Sequence, residues 1–378
     1  MKNRNVGIEL ARIAAMFLVI VMHINTQGGI FDALQPLSCN YIVEWFLLCV
    51  TYCALDLFAI ISGYVGVNSG FRYSRILNLW LGVAFYTVTI TVCFAVFSPG
   101  SVGLQDFVKA VTPASTGQYW FFSAYFAMFF FIPFMNYLIN ELDDYRLKVL
   151  GITIIIVFSI IPTLRHSDPW VTDKGYSTIW LMCLYLIGGI IRKFDLLKRK
   201  TKLFFFLMFL VSTFITWGSK VLVESITLRL IGEVLGGGFL ISYLSPFVVL
   251  QAVSLLGFFA NIEVSGEKAK KAICAISATT FSVFVLHEHP LIKHRFIIDR
   301  FACYADKSAI LMVISVLVTA IVIFGICTMI DMIKIWLFKS LHVRDKCELI
   351  CNGIAICIHK KIRGVINPLN SVLSQYPT

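Results

Sequence analysis

Residues 8–27 read IELARIAAMFLVIVMHINTQ. The run is long and apolar enough to cross a bilayer as an α-helix. It also carries Glu9, Arg12 and His23. Ionisable groups inside a span are costly and mark functional sites. Arg12 and His23 stand eleven residues apart. At about 100° per residue the two side chains fall within about 20° of one face, separated by roughly 16 Å along the axis. Glu9, three residues before Arg12, has the offset of an ion pair on that face. Singly, Arg12 could snorkel to the headgroups with Glu9, and His23 could be an interfacial polar residue. Together, in line, they read as a site.

Composition sets the surroundings. Of 378 residues, 58% are hydrophobic and 14% charged, with a mean hydropathy of +0.84. A soluble domain carries about 25% charged residues, so the chain reads as an integral membrane protein. Its apolar runs are continuous rather than alternating, which excludes a transmembrane barrel. The net charge of +11 is spread over short loops, fitting membrane topology and anionic lipid rather than nucleic acid. The eleven cysteines lie mostly in apolar runs and read as small buried hydrophobes. No CxxC or Cys/His ligand spacing occurs, so no metal is expected. Glu9 and Arg12 interrupt the first run and no small-residue cleavage site follows, unlike a signal peptide.

The expected fold is all-α and polytopic, with about ten transmembrane helices. The spans are read at 8–27, 41–66, 76–98, 119–140, 147–164, 177–191, 203–223, 239–261, 275–292 and 308–338, the sixth short and the tenth long. With the N-terminus in the cytoplasm, 22 of the 32 Lys and Arg residues fall on inner segments and nine on outer loops, with Arg12 inside the first span. That bias places both termini in the cytoplasm. Arg12 then lies near the inner surface and His23 in the outer half. Residues 1–338 form the transmembrane domain and 339–378 a tail. In the tail Cys347, Ile350, Ile354, Ile358 and Ile362 follow helical spacing, with Lys360, Lys361 and Arg363 nearby. It reads as a cytoplasmic amphipathic segment on the membrane. Cys39 and Cys303 fall in two outer loops, where either a disulfide or two free thiols fits, free thiols being favoured.

Asp56 in the second span is a further intramembrane charge, read as a partner for Arg12. Ser62-Gly63-Tyr64 allows a bend or a close backbone approach. Arg72 and Arg75, three apart on the inner side, suit a phosphate grip, though the positive-inside bias explains them equally well. Trp120 begins the fourth span, at the depth of an aromatic belt. His287, late in the ninth span, reads as either an interfacial histidine or a residue that orients the acceptor or supports His23. His289 reads as structural.

These pieces resemble the membrane acyltransferase-3 family, bacterial O-acyltransferases of envelope polysaccharides and related acceptors. Arg12 and His23, ten residues between them, resemble its Arg/Lys-x10-His signature. FAIISGY (58–64), the Arg-x-x-Arg of Arg72 and Arg75, QYWFFSAYFAMFFFIPFMN (118–136) and TFSVFVLHEHP (280–290) are similar, in order, to further family segments. The resemblance covers about residues 5–338. Glu9 stands where the family often has Asp, and the tail has no matching counterpart.

The resemblance implies an enzyme of the bacterial inner membrane that moves an acyl group, by analogy acetyl, from cytoplasmic acyl-CoA to a hydroxyl of an envelope glycan or glycolipid. Acetyl-CoA would be the donor, with no metal. Arg12, Arg72 and Arg75 would hold its phosphates, and His23 would act as general base or nucleophile. Glu9, Asp56, Ser62, Trp120 and His287 would support the site. Two rival readings are a transporter or flippase for a lipid-linked or anionic solute, and a non-catalytic partner in envelope assembly. No internal repeat favours transport.

Overall fold

The first helix, α1 (Val6–Gln27), is the centre of the bundle. Asn5 caps it: its side chain accepts the Gly7 N–H at 2.9 Å, while its amide donates to the Ala260 carbonyl at 3.1 Å. Such a cap satisfies donors that the first helical turn leaves without partners. The structure, a computed structural model, describes residues 5–354 and 357, and all regular structure among them is helical.

Around α1 the chain lays down α2 (Cys39–Thr51) and α3 (Ala54–Gly66), one span interrupted at Tyr52 and Cys53. Then follow α4 (Ser74–Phe97), α5 (Trp120–Glu141), α6 (Asp144–Ile155, continued by wider and regular turns to Arg165) and α7 (Thr178–Lys193). α8 (Lys202–Ile231), α9 (Pro246–Ala260), α10 (Glu267–Ser277), α11 (Thr280–His287), α12 (Pro290–Phe296) and α13 (Ala309–Ser340) complete the bundle. Among the described residues eight spans, counting α2–α3, α6 with its extension and α10–α11 as one each, are long and apolar enough to cross a membrane. α7 and α9, of 16 and 15 residues, are shorter. The protein is an all-α polytopic membrane protein. In lipid this is one of the two solutions that satisfy every backbone group, the other being a closed barrel.

α1 packs against α2, α3, α9, α10, α11 and α13. The most extensive helix pairing is α3 with α7. Two glycines allow it: a Cβ on Gly63 would overlap the Tyr185 carbonyl oxygen, and one on Gly188 would overlap that of Ile60. Small residues at crossing points let membrane helices approach closely. α3 is thereby pinned between α1 and α7.

Three spans differ from their sequence reading. The eighth begins at Pro246 rather than 239: residues 239–245 are turns and irregular chain, and Pro246 takes the first position of the helix. The ninth breaks at Ala278 and Thr279 and stops at His287, ahead of Pro290. The seventh extends to Ile231 rather than 223, and Lys220 is buried within it. Lys220 is ion-paired with Glu224 and sits 3.8 Å from the Trp45 ring centroid. Cys39 and Cys303 are free thiols. After α13, residues 343–354 are helical, with Cys347 buried and Ile350 and Ile354 exposed. Ile358, Lys360, Lys361, Ile362 and Arg363 lie outside the described residues.

Gly188→Leu is expected to lower the thermal midpoint of the detergent-purified protein by the equivalent of about 1–3 kcal/mol of overpacking, or to prevent its accumulation. Gly82→Leu, on a glycine with nothing within 4 Å, should leave the midpoint unchanged. Equal behaviour of the two variants would contradict the close α3–α7 contact.

Candidate functional site

Two cavities lie along α1, one towards each end. α1 begins and the chain leaves α13 on the same side of the bundle, the terminal face, because Asn5 and Arg344 line one cavity there. His23 lines the other cavity, near the opposite face.

His23 is a part-buried ring whose Nδ1 lies 2.9 Å from Nε2 of His287. His287 is fully enclosed, and its Nδ1 lies 2.6 Å from the Val283 carbonyl oxygen. A carbonyl only accepts, so His287 donates from Nδ1 and, when neutral, presents a bare Nε2. That nitrogen accepts the Nδ1–H of His23. The tautomer of His23 follows: its Nε2 carries the free lone pair. Glu288 Oε1 stands 3.1 Å from the same Nδ1 without a hydrogen bond, placing a negative charge beside the ring. Lys293 holds the other carboxylate oxygen at 3.1 Å. The arrangement is that of a base, an orienting partner and a part-buried anion, the logic of a catalytic triad.

The cavity at His23 has a volume of about 290 Å³. Its wall is aromatic: Trp120 and Tyr176 rings are 4.5 Å apart, Tyr52 and Tyr243 4.8 Å, and Tyr176 and Tyr243 5.0 Å. Trp120 is therefore part of this wall, beyond the belt position its sequence suggests.

The donor atoms of His23, His287 and Glu288 all lie within 4.8 Å of one another, close enough to share a metal ion. The 2.9 Å separation of the two nitrogens is shorter than the about 3.4 Å between ligands on a tetrahedral zinc. The geometry fits a shared proton better than a shared metal.

At the terminal face a cavity of about 630 Å³ is lined by Arg12, Arg72 and Arg75, which the structure brings together as the sequence suggests. Arg192 and Arg344 join them. Arg12 pairs with Glu9 at 2.9 Å, and Glu9 also accepts from Ser277 at the end of α10. Arg192 donates to Tyr64 at 3.2 Å.

Along α1 the cavities come within one turn of each other, Arg12 lining one and Met16 the next. Between them Ser62 on α3 hydrogen-bonds Tyr125 on α5 at 2.9 Å. Phe58, one turn before Ser62, and Phe121, one turn before Tyr125, line the His23 cavity. Met16, Ser62 and Tyr125 thus mark a waist between the chambers.

A family model described as an acyltransferase domain matches residues 5–331. The chain belongs to this acyltransferase family. No curated protein and no solved structure matches it.

The acyltransferase departs from its sequence reading at Asp56. This carboxylate does not pair with Arg12. It is wholly buried and accepts from the Trp180 indole at 3.2 Å, fixing α3 to α7. His289, read as structural, is buried and accepts the Leu291 N–H at 3.3 Å, capping α12. Glu288, Lys293, Arg192 and Arg344 reach the two cavities without any signal in the sequence beyond their charge.

His287→Ala and Glu288→Gln are each expected to lower the maximal rate of acyl transfer by about tenfold or more. Donor KM should stay within about twofold, since neither residue lines the arginine cavity. Full maximal rate in His287→Ala would show that the two histidines do not work as a unit.

Proposed function

We propose that this membrane acyltransferase takes an acyl group, acetyl by family resemblance, from cytoplasmic acyl-CoA and transfers it to a hydroxyl of a cell-envelope glycan or glycolipid. The observation that carries the reading is the alignment on α1: an arginine-lined cavity at one end, an oriented imidazole near the other, and a narrow waist between. The Lys/Arg bias supports placing the terminal face in the cytoplasm. A donor with a phosphorylated head and a thin thioester arm suits that shape. The head would rest among Arg12, Arg72 and Arg75, where charge-assisted hydrogen bonds to phosphate are strong. The arm would pass the waist, and the roughly 16 Å between Arg12 and His23 is of the order such an arm spans.

At His23 the chemistry follows from the tautomer. Nε2 takes the proton of the acceptor hydroxyl as its oxygen attacks the thioester carbonyl. The tetrahedral intermediate collapses by breaking the C–S bond. The departing CoA thiolate recovers the proton from the imidazolium, leaving an ester and free CoA. During the charged interval Glu288 stabilises the imidazolium, as a buried carboxylate does in a triad. The aromatic wall of Trp120, Tyr176 and Tyr243 gives a sugar ring faces on which to stack. The closed waist supports passage of a small group rather than of a whole solute.

His23→Ala is expected to lower acetyl transfer from acetyl-CoA, read as release of free CoA thiol by purified protein in detergent, by at least about a hundredfold. A chelator should leave the wild-type rate unchanged. Full activity in His23→Ala, or loss of activity on chelation, would overturn the mechanism.

Arg72→Ala and Arg75→Ala are expected to raise donor KM more than they lower the maximal rate. An unchanged donor dependence would remove both residues from the donor site.

A further inference from the structure

The helical segment 343–354 has no part in the chemistry so far. It lies beyond the family match, which ends at residue 331. Yet it touches the arginine cavity. Glu348 Oε1 sits 3.1 Å from Nη1 of Arg72 and 3.6 Å from Nε of Arg344, and both Glu348 and Arg344 line that cavity. The segment is seated rather than loosely draped, because Cys347 beside Glu348 is only 1% exposed.

A carboxylate on an arginine fork presents the same oxygen acceptors that a phosphate would. Glu348 therefore holds, on Arg72, the place of a donor phosphate. Arg344 is half-engaged through the same carboxylate and has most of its side chain exposed. We propose that the 343–354 segment is a latch over the donor cavity, in which Glu348 competes with a phosphate of the donor for Arg72, and Arg344 becomes a further phosphate ligand when Glu348 is displaced. This rests on the reading of the arginine cavity as an acyl-CoA site. The latch makes donor affinity a property of this chain's tail as well as of the shared domain. No covalent step is involved; one ion pair is exchanged for another.

The Arg72–Glu348 pair is largely solvent-exposed, and such pairs are worth about 0.2–1 kcal/mol. The expected effects are correspondingly modest. Coenzyme A binding to the full-length protein in detergent, measured by calorimetry at fixed ionic strength, should tighten roughly two- to fivefold in Glu348→Gln. In Arg344→Gln it should weaken by a similar factor. In an Arg72→Gln background, where only the longer Arg344 contact remains to be released, Glu348→Gln should tighten binding by less than it does in the wild type. Equal affinity of wild type and Glu348→Gln would overturn the latch while leaving the donor site standing. The same tightening with and without Arg72 would overturn it too, by showing a general charge effect. Failure of coenzyme A to bind the wild type would remove the donor reading, and the latch with it.

Discussion

The hydrogen bond between His23 and His287 joins residues 264 apart in the chain and fixes how its first and late segments meet. A second tie does the same near the other end of α1, where Ser277 donates to Glu9. α1 is thus stitched at both ends to the α10–α11 segment. The break at Ala278 and Thr279 lies between the stitches. His287 is in turn held from behind by Val283 of its own helix. The result is an imidazole whose orientation and proton position are both determined before any substrate arrives. Such preorganisation is what an active site contributes most.

Satisfying charge inside lipid explains much of the remaining architecture. Unpaired ionisable groups at membrane depth are expensive. Asp56 takes the Trp180 indole hydrogen bond. Asp331 accepts from Tyr86 at 2.6 Å and pairs with Lys334 at 2.7 Å, and Lys334 also reaches Ser282. Lys220 lies between Glu224 and the face of Trp45. Each of the three ties two or more helices together. Arg12, Arg72, Arg75, Arg192 and Arg344 instead line an open cavity.

The parts of this arrangement legible in the sequence are those that a single helix encodes. Arg12 and His23 share a stripe because periodicity alone puts them there. The Glu9 pairing is an offset of three, and the Arg72–Arg75 pair is local too. His287 was reachable through its Leu-His context. Other features depend on how distant segments dock. The partner of Asp56 is Trp180 because Gly63 and Gly188 bring α3 against α7, and no pattern in either helix announces that crossing. Glu288 lies just past the end of α11 and Lys293 on the short α12, across a break that interrupts helical periodicity. Arg192 and Arg344 converge on the arginine cavity from a helix end and from the tail. The turns at 239–245 were hidden because their hydrophobicity matches that of a span.

The waist at Met16, Ser62 and Tyr125 has a consequence for the cell as a whole. A bilayer that maintains a proton gradient cannot tolerate a wet hole, and two cavities towards opposite ends of α1 come within one helical turn of making one. Met16 and the Ser62–Tyr125 pair lie where the two cavities approach each other along α1. How well these side chains pack therefore bears on the electrical tightness of the membrane.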